Sequence, residues 1–220
     1  MLAVNNLQCS YGGKILFKDV NLYFMKGQVS IIFGYNGSGK STLMNTLLLL
    51  NTPDTGSLVY DNKKYNFDGN TDKENLPFPI GFLSQDNILW ENMTCLENIL
   101  FSLGNRYDGK KIQSLINTFD LQDIVKLYPS EVSLGQKQII GFIRAIMINS
   151  NYLLLDEPTS AIDKENFHRI IEVINNEKKQ DKTIIIITHD MRLSNSIGDK
   201  FYVIENQNIN KVINVGEYFS

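Results

Sequence analysis

Residues 34–42 read Gly-Tyr-Asn-Gly-Ser-Gly-Lys-Ser-Thr, and they fit the Gly-x-x-x-x-Gly-Lys-Ser pattern of a phosphate loop without substitution. The pattern constrains the fold because it works only between a buried strand and a helix. Residues 28–33, Gln-Val-Ser-Ile-Ile-Phe, predict that strand, and residues 41–50, with leucines toward the end, predict the helix. Backbone N–H groups of such a loop point inward toward phosphate oxygens, and the helix N-terminus adds partial positive charge. Lys40 is placed to reach β- and γ-phosphates, and Ser41 to hold Mg²⁺.

A chain of 220 residues that is 43% hydrophobic can bury a sizeable core. Residues 1–220 are read as a single unit, with a helical subdomain at about 87–147. The net charge of −3, from 21 basic and 24 acidic residues, makes no electrostatic case for nucleic acid, and none is expected as a partner. Cys9 and Cys95 form no Cys-x-x-Cys pair and read as buried free thiols in a reducing compartment. No run approaches the ~18 apolar residues that span a bilayer. The N-terminal Met-Leu-Ala-Val-Asn-Asn is not a basic region followed by an apolar stretch. A cytoplasmic protein is expected.

Residues 1–33 read as short strands separated by turns at Gly12-Gly13 and Lys26-Gly27. Residues 53–56 predict a turn before a strand at 57–60, and Asp61-Asn62 predicts another turn. Residues 67–79 read as an exposed loop, and 80–83 as a short strand ending in Ser84-Gln85. From about 94 to 148 the pattern is helical. Thr94 and Glu97 form a capping-box pair, Ile112, Leu115, Ile116 and Phe119 share helical spacing, and 136–148 is strongly apolar around Arg144. Strands at 152–155, 183–187, 201–204 and 211–215 alternate with helices at 164–179 and 191–197. This alternation predicts an α/β fold with a largely parallel sheet.

Tyr-Leu-Leu-Leu-Asp-Glu at 152–157 is an apolar strand that delivers two carboxylates to the C-terminal edge of a sheet, where such folds bind ligands. Asp156 is placed to support Mg²⁺, and Glu157 to accept a proton from an attacking water. Gln85 and His189 end strands in the same way. Four strands ending in Gly/Lys, Gln, Asp/Glu and His converge on one edge, where a triphosphate and a metal fit. Ser133 is predicted to cap the helix at 135–147, a second anion site far along the chain from the first. It suits the nucleotide of another subunit.

With these motifs in this order, the chain resembles the ATP-binding cassette of the ABC ATPase superfamily over essentially its whole length. The resemblance implies a RecA-like P-loop NTPase core with a mostly parallel sheet, an N-terminal antiparallel β subdomain and an inserted helical subdomain. It implies ATP and Mg²⁺ as ligands. Tyr11 resembles the aromatic that stacks on adenine. Gly34, Asn36, Gly37, Ser38, Gly39, Lys40, Ser41 and Thr42 make up the Walker A loop, and 152–157 the Walker B strand. Gln85 is the Q-loop glutamine at metal or water, Ser160–Asp163 the D-loop, and His189 the switch histidine at the γ-phosphate. Ser133, Gly135 and Gln136 belong to the signature motif, which contacts the ATP of a second cassette paired head to tail.

The signature departs from Leu-Ser-Gly-Gly-Gln. Val132 replaces leucine, Leu134 replaces the first glycine, and Ile139 stands where many relatives carry arginine. A leucine at 134 is tolerable if its side chain points away from the phosphate. A working but slower site is expected, with a weak or asymmetric site as the rival.

The implied reaction is ATP hydrolysis, with Glu157, His189, Lys40 and Gln85 in the catalytic roles. A cassette without a membrane segment implies a separate permease and a location on the cytoplasmic face of the membrane. Trp90 and Met93 are possible permease contacts. Small cassettes of this type serve amino-acid-type import or peptide and lipoprotein export. The alternative is a mechanical or regulatory module of the cell-division or cluster-assembly type.

Overall fold

The computed structural model describes residues 1–67, 79–103 and 108–213. The order of elements is β1 (Leu2–Tyr11), β2 (Lys14–Phe24), β3 (Gln28–Gly34), α1 (Lys40–Leu47), β4 (Thr55–Tyr60), β5 (Lys63–Phe67), β6 (Gly81–Leu83), α2 (Cys95–Leu100), α3 (Gly109–Thr118), α4 (Leu134–Met147), β7 (Tyr152–Asp156), α5 (Lys164–Lys179), β8 (Thr183–Ile187), α6 (Met191–Ile197), β9 (Lys200–Glu205) and β10 (Asn208–Val212). They form two sheets, a four-stranded one in the order β2-β1-β4-β5 and a six-stranded one in the order β10-β9-β3-β8-β7-β6. The first is antiparallel throughout. In the second, only β10 runs antiparallel.

β-Branched and leucine-rich runs make the central strands, and their period of two divides the core. Val29, Ile31, Phe33, Leu153, Leu155, Ile184 and Ile186 face the cluster that holds Ile140 and Ile143 of α4 and Ile170 and Ile174 of α5. Ile32, Leu154, Ile185 and Ile187 face the other way, toward α1 and the antiparallel sheet. A strand covered on both faces favours apolar side chains at every position, which is why four isoleucines in a row follow Thr183 in β8. Each such side chain contributes about 1.5–3 kcal/mol on burial.

The first two strands are ten and eleven residues long, not short. Gly12 and Gly13, both at positive φ, close them into one hairpin, and register shifts interrupt the alternation that a shorter reading relied on. β4 starts at Thr55 and pairs with β5, which the sequence reading did not separate. The helix after the glycine loop stops at Leu47, and the final strand lies at 208–212 rather than 211–215. Residues 68–78 of the expected loop, and 214–215 of the expected strand, lie outside the described residues. Helices at 164–179 and 191–197 and the strand at 183–187 match their expected limits. Asp163 caps α5 by accepting from the Asn166 N–H, and Lys178 and Lys179 face the negative end of its dipole.

The helical segment is held by local polar contacts as well as by its core. Thr94 and Glu97 make the capping box on α2. Asn98, fully buried, donates to the carbonyls of Trp90, Met93 and Thr94 and accepts from the Trp90 N–H. It thereby shapes the turn that presents Trp90. Among the described residues no helix is long and apolar enough to cross a membrane.

Gly56, in β4, has φ +112, and a Cβ there would lie 2.8 Å from the backbone of Asn5, Asn6 and Leu7, at the β1 bulge. Backbone cannot swing aside as a side-chain tip can. Gly56→Ala is therefore expected to lower stability by about 2–3 kcal/mol in chemical denaturation.

Candidate functional site

Parallel pairing sets the C-terminal ends of β3, β8, β7 and β6 side by side. From β3 the chain enters the glycine loop and then α1. Gly37 and Gly39 take φ of +79 and +102, and a Cβ on Gly39 would meet the Phe17 ring at 2.6 Å. Gly34 is closed in by Ser38 Oγ, 2.5 Å from where its Cβ would stand. No side chain caps α1, and its first turn holds no acidic residue. Its opening N–H groups suit an anion. Lys40 Nζ donates to the Gly34 and Tyr35 carbonyls at 2.7 and 3.1 Å. Ser38 Oγ is buried without a partner, while Asn36 and Ser41 are exposed and Thr42 is half-buried.

β7 delivers the two carboxylates. Asp156 Oδ1 is buried with no hydrogen-bond partner. Burial first, then the neighbouring Glu157, push the Asp156 carboxyl up to about 6, against the pull of Lys40 and His189. Burial also raises the Glu157 carboxyl, against the Thr188 hydrogen bond and Lys40. Glu157 has φ +50 and donates its N–H to the Ile187 carbonyl at 2.8 Å. Its Oε1 lies 2.9 Å from His189 Nε2, and its Oε2 accepts from Thr188 Oγ1 at 3.2 Å. The ends of β7 and β8 thus meet through one carboxylate.

Gln85 and Asp86, beyond β6, are exposed, and Asp86 is close enough to add to the Asp156 shift. Among the described residues no three His, Cys, Asp or Glu side chains form a metal cage. The Asp156 carboxylate, with one unpartnered oxygen, fits a magnesium ion that arrives with phosphate oxygens, and the Ser41 hydroxyl at the start of α1 is a further candidate ligand. Tyr11, at the tip of the β1–β2 hairpin, is 76% exposed.

The signature residues are not brought to this edge. Ser133 caps α4 in a capping box, accepting from the Gln136 N–H while Gln136 Oε1 accepts from its own N–H. Ser133, Gly135 and Gln136 line a cleft of about 290 Å³ with Ala161, Asp163 and Asn166, and no glycine-loop residue lines it. Leu134 is 71% exposed, so nothing of its own chain covers its side chain. A Cβ on Gly135 would lie 2.8 Å from the Ala161 carbonyl oxygen. The two signature glycine positions therefore differ, and this chain substitutes the open one. Ile139, in the arginine position, is buried and also lines the cleft.

Thr188 and Gln138 were missed as site residues. Thr188 lies between the end of β8 and His189, and its hydroxyl is a sequence signal only once Glu157 is known to face it. Gln138, an amide in an apolar helix, is buried and donates to the Glu157 carbonyl at 3.0 Å. The polar interruption of that helix was the available signal.

A family model described as "ABC transporter" matches residues 17–160. The glutamine transport ATP-binding protein GlnQ of Geobacillus stearothermophilus is 30% identical over 226 residues, covering 100% of this chain and 93% of the relative. The probable amino-acid import ATP-binding protein YxeO of Bacillus subtilis (strain 168) is 33% identical over 91% of this chain and 84% of its own length. The dimeric structure of MJ0796, a bacterial ABC transporter cassette, superposes with a TM-score of 0.82 at 26% identity, over 97% of this chain and 100% of that one. The same cassette has been solved as a dimer in a post-hydrolysis state with ADP and Pi, which matches this chain with a TM-score of 0.80 at 25% identity. With phosphate loop, paired carboxylates and histidine on one sheet edge, the chain belongs to the ABC transporter family, as an ATP-binding and ATP-hydrolysing subunit.

Proposed function

We propose that ATP lies along the glycine loop with its adenine against Tyr11, and that Glu157 orients or deprotonates the water that attacks the γ-phosphate. The observation that carries this reading is the Glu157 carboxylate, buried, raised in pKa and held between Thr188 and His189. A carboxylate kept out of water retains affinity for a proton, as a general base requires. Lys40 exchanges its loop carbonyls for β- and γ-phosphate oxygens. Gly34, Asn36, Gly37, Ser38 and Gly39 shape the loop around the phosphates, and His189 contacts the γ-phosphate. Ser41, Asp156 and Gln85 hold magnesium, which offsets charge on the phosphate oxygens when bound. Ser133, Gly135 and Gln136 of a second cassette close over the same nucleotide, and the exposed Leu134 beside them has room to turn off the phosphate.

Two such cassettes pair, and the permease is a separate chain. We read residues 1–220 as one cassette working on the cytoplasmic face of the membrane. Relatives named for glutamine transport and amino-acid import support an amino-acid-type import cargo. Ile88, Trp90 and Phe101 form an exposed apolar rim beyond Gln85, with the Trp90 and Phe101 rings 4.5 Å apart. It suits contact with the permease. Co-purification with a multi-spanning membrane protein, and stimulation of hydrolysis by an amino acid with its binding protein, test the cargo. A soluble partner alone would support the mechanical alternative.

Glu157→Gln is expected to leave ATP binding intact and slow hydrolysis by about 10²–10⁴-fold in a single-turnover assay. Wild-type turnover would remove Glu157 from its role. Lys40→Ala is expected to abolish ATP binding in calorimetry; retained tight binding would contradict the loop assignment. Asp156→Asn is expected to weaken binding of magnesium ATP yet stabilise the free chain by about 1 kcal/mol above pH 6. The sign follows from the raised carboxyl, up to about 6 in the folded chain. The folded state holds this proton more tightly than the unfolded, so the wild type loses stability as pH rises through that range, whereas the amide does not titrate. Denaturation midpoints of both proteins at pH 5 and pH 8 check it.

A further inference from the structure

We propose that Gln138 is a positioning residue for Glu157, linking the helix that carries the signature serine to the carboxylate of the chain's own site; this rests on the role given to Glu157 above. Gln138 is 4% exposed, five residues into the helix from Ser133. Its Nε2 donates to the Glu157 main-chain oxygen at 3.0 Å, and that oxygen also accepts from the Ser160 N–H at 3.3 Å.

The contact matters because of the backbone it holds. Glu157 has φ +50, a conformation that a residue with a side chain adopts only when its surroundings enforce it. Its N–H is tied to β8 through Ile187 and its carbonyl to α4 through Gln138. The orientation of this peptide aims the side chain at Thr188 and His189. α4 is itself braced at two further points. Gly135 backs onto the Ala161 carbonyl, and Asn87, two residues beyond Gln85, donates to the Lys137 carbonyl at 2.5 Å. A shift of the α4 N-terminus, where a partner's nucleotide engages Ser133, therefore reaches Glu157 through one buried amide.

The test uses the purified full chain with magnesium ATP, comparing wild type, Gln138→Met, Glu157→Gln and the double variant. Methionine keeps the side-chain length and removes the donor. Gln138→Met is expected to lower kcat by about 10–10²-fold, as misplacement of a reacting group does, with KM for ATP within about twofold of wild type. In the Glu157→Gln background the same change is expected to lower the residual rate no further, because both act through one carboxylate. If Gln138→Met does not fold, Gln138→Leu, which stays close in volume and has no donor, takes its place. Wild-type turnover for Gln138→Met beside a slow Glu157→Gln would overturn the proposal. An equal loss in both backgrounds would overturn it too, marking Gln138 as a packing residue. Wild-type turnover for Glu157→Gln would instead remove the reading on which the proposal stands.

Discussion

Parallel pairing of β3, β8, β7 and β6 is the constraint on which the rest of the structure depends. Parallel strands end on the same edge, so residues from four separate stretches of chain become neighbours without any contact designed between them. Gln28–Gly34 leads into the phosphate loop, Tyr152–Asp156 into Glu157, Thr183–Ile187 into His189, and Gly81–Leu83 into Gln85. The pairing holds because both faces are covered, by helices on one side and by the antiparallel sheet with α1 on the other. A register slip would have no polar face to expose, so register is set instead by the turns and by end contacts. Asp199 is one of these. It accepts from the Val29 N–H at 2.7 Å and pairs with Lys178 at 2.6 Å, locking β3 and α5 at the opposite edge.

The electrostatics follow from this burial. Asp156 and Glu157 stand side by side at the end of a strand with little water around them. Each resists ionisation, and Lys40 and His189 only partly offset the penalty. Stability is thus set against function at this edge, because an apolar pair would suit the free chain better. The same balance explains Lys40, whose ammonium turns back onto the loop carbonyls rather than remaining bare. A site assembled from such groups suits a ligand that brings both phosphate charge and a cation.

Much of the architecture was legible in residue order. The β-branched runs, the glycine turns and the capping pairs at Thr94 and Ser133 mark element type and several limits. Limits were harder where local pattern competes with pairing. The β1–β2 hairpin extends across bulges because each strand offers the other its hydrogen bonds, and neither sequence alternates cleanly. β5 exists because β4 lies beside it. Within the site, the loop glycines and the acidic pair are visible because their chemistry admits few substitutes. Thr188 and Gln138 are not, because a threonine at a strand end and a glutamine in a helix have many uses.

Sequence alone determined the type of site. A glycine loop before lysine and serine suits phosphate, and together with it a strand ending in two acids suits a cation beside that phosphate. Tertiary structure decided which groups touch. The left-handed turn at Glu157, its hold by β8 and α4, the outward Leu134 and the inward Gly135 depend on the distances between elements far apart in the chain. Local pattern carries no information on such distances, because they are set by how the two covered faces of the sheet pack.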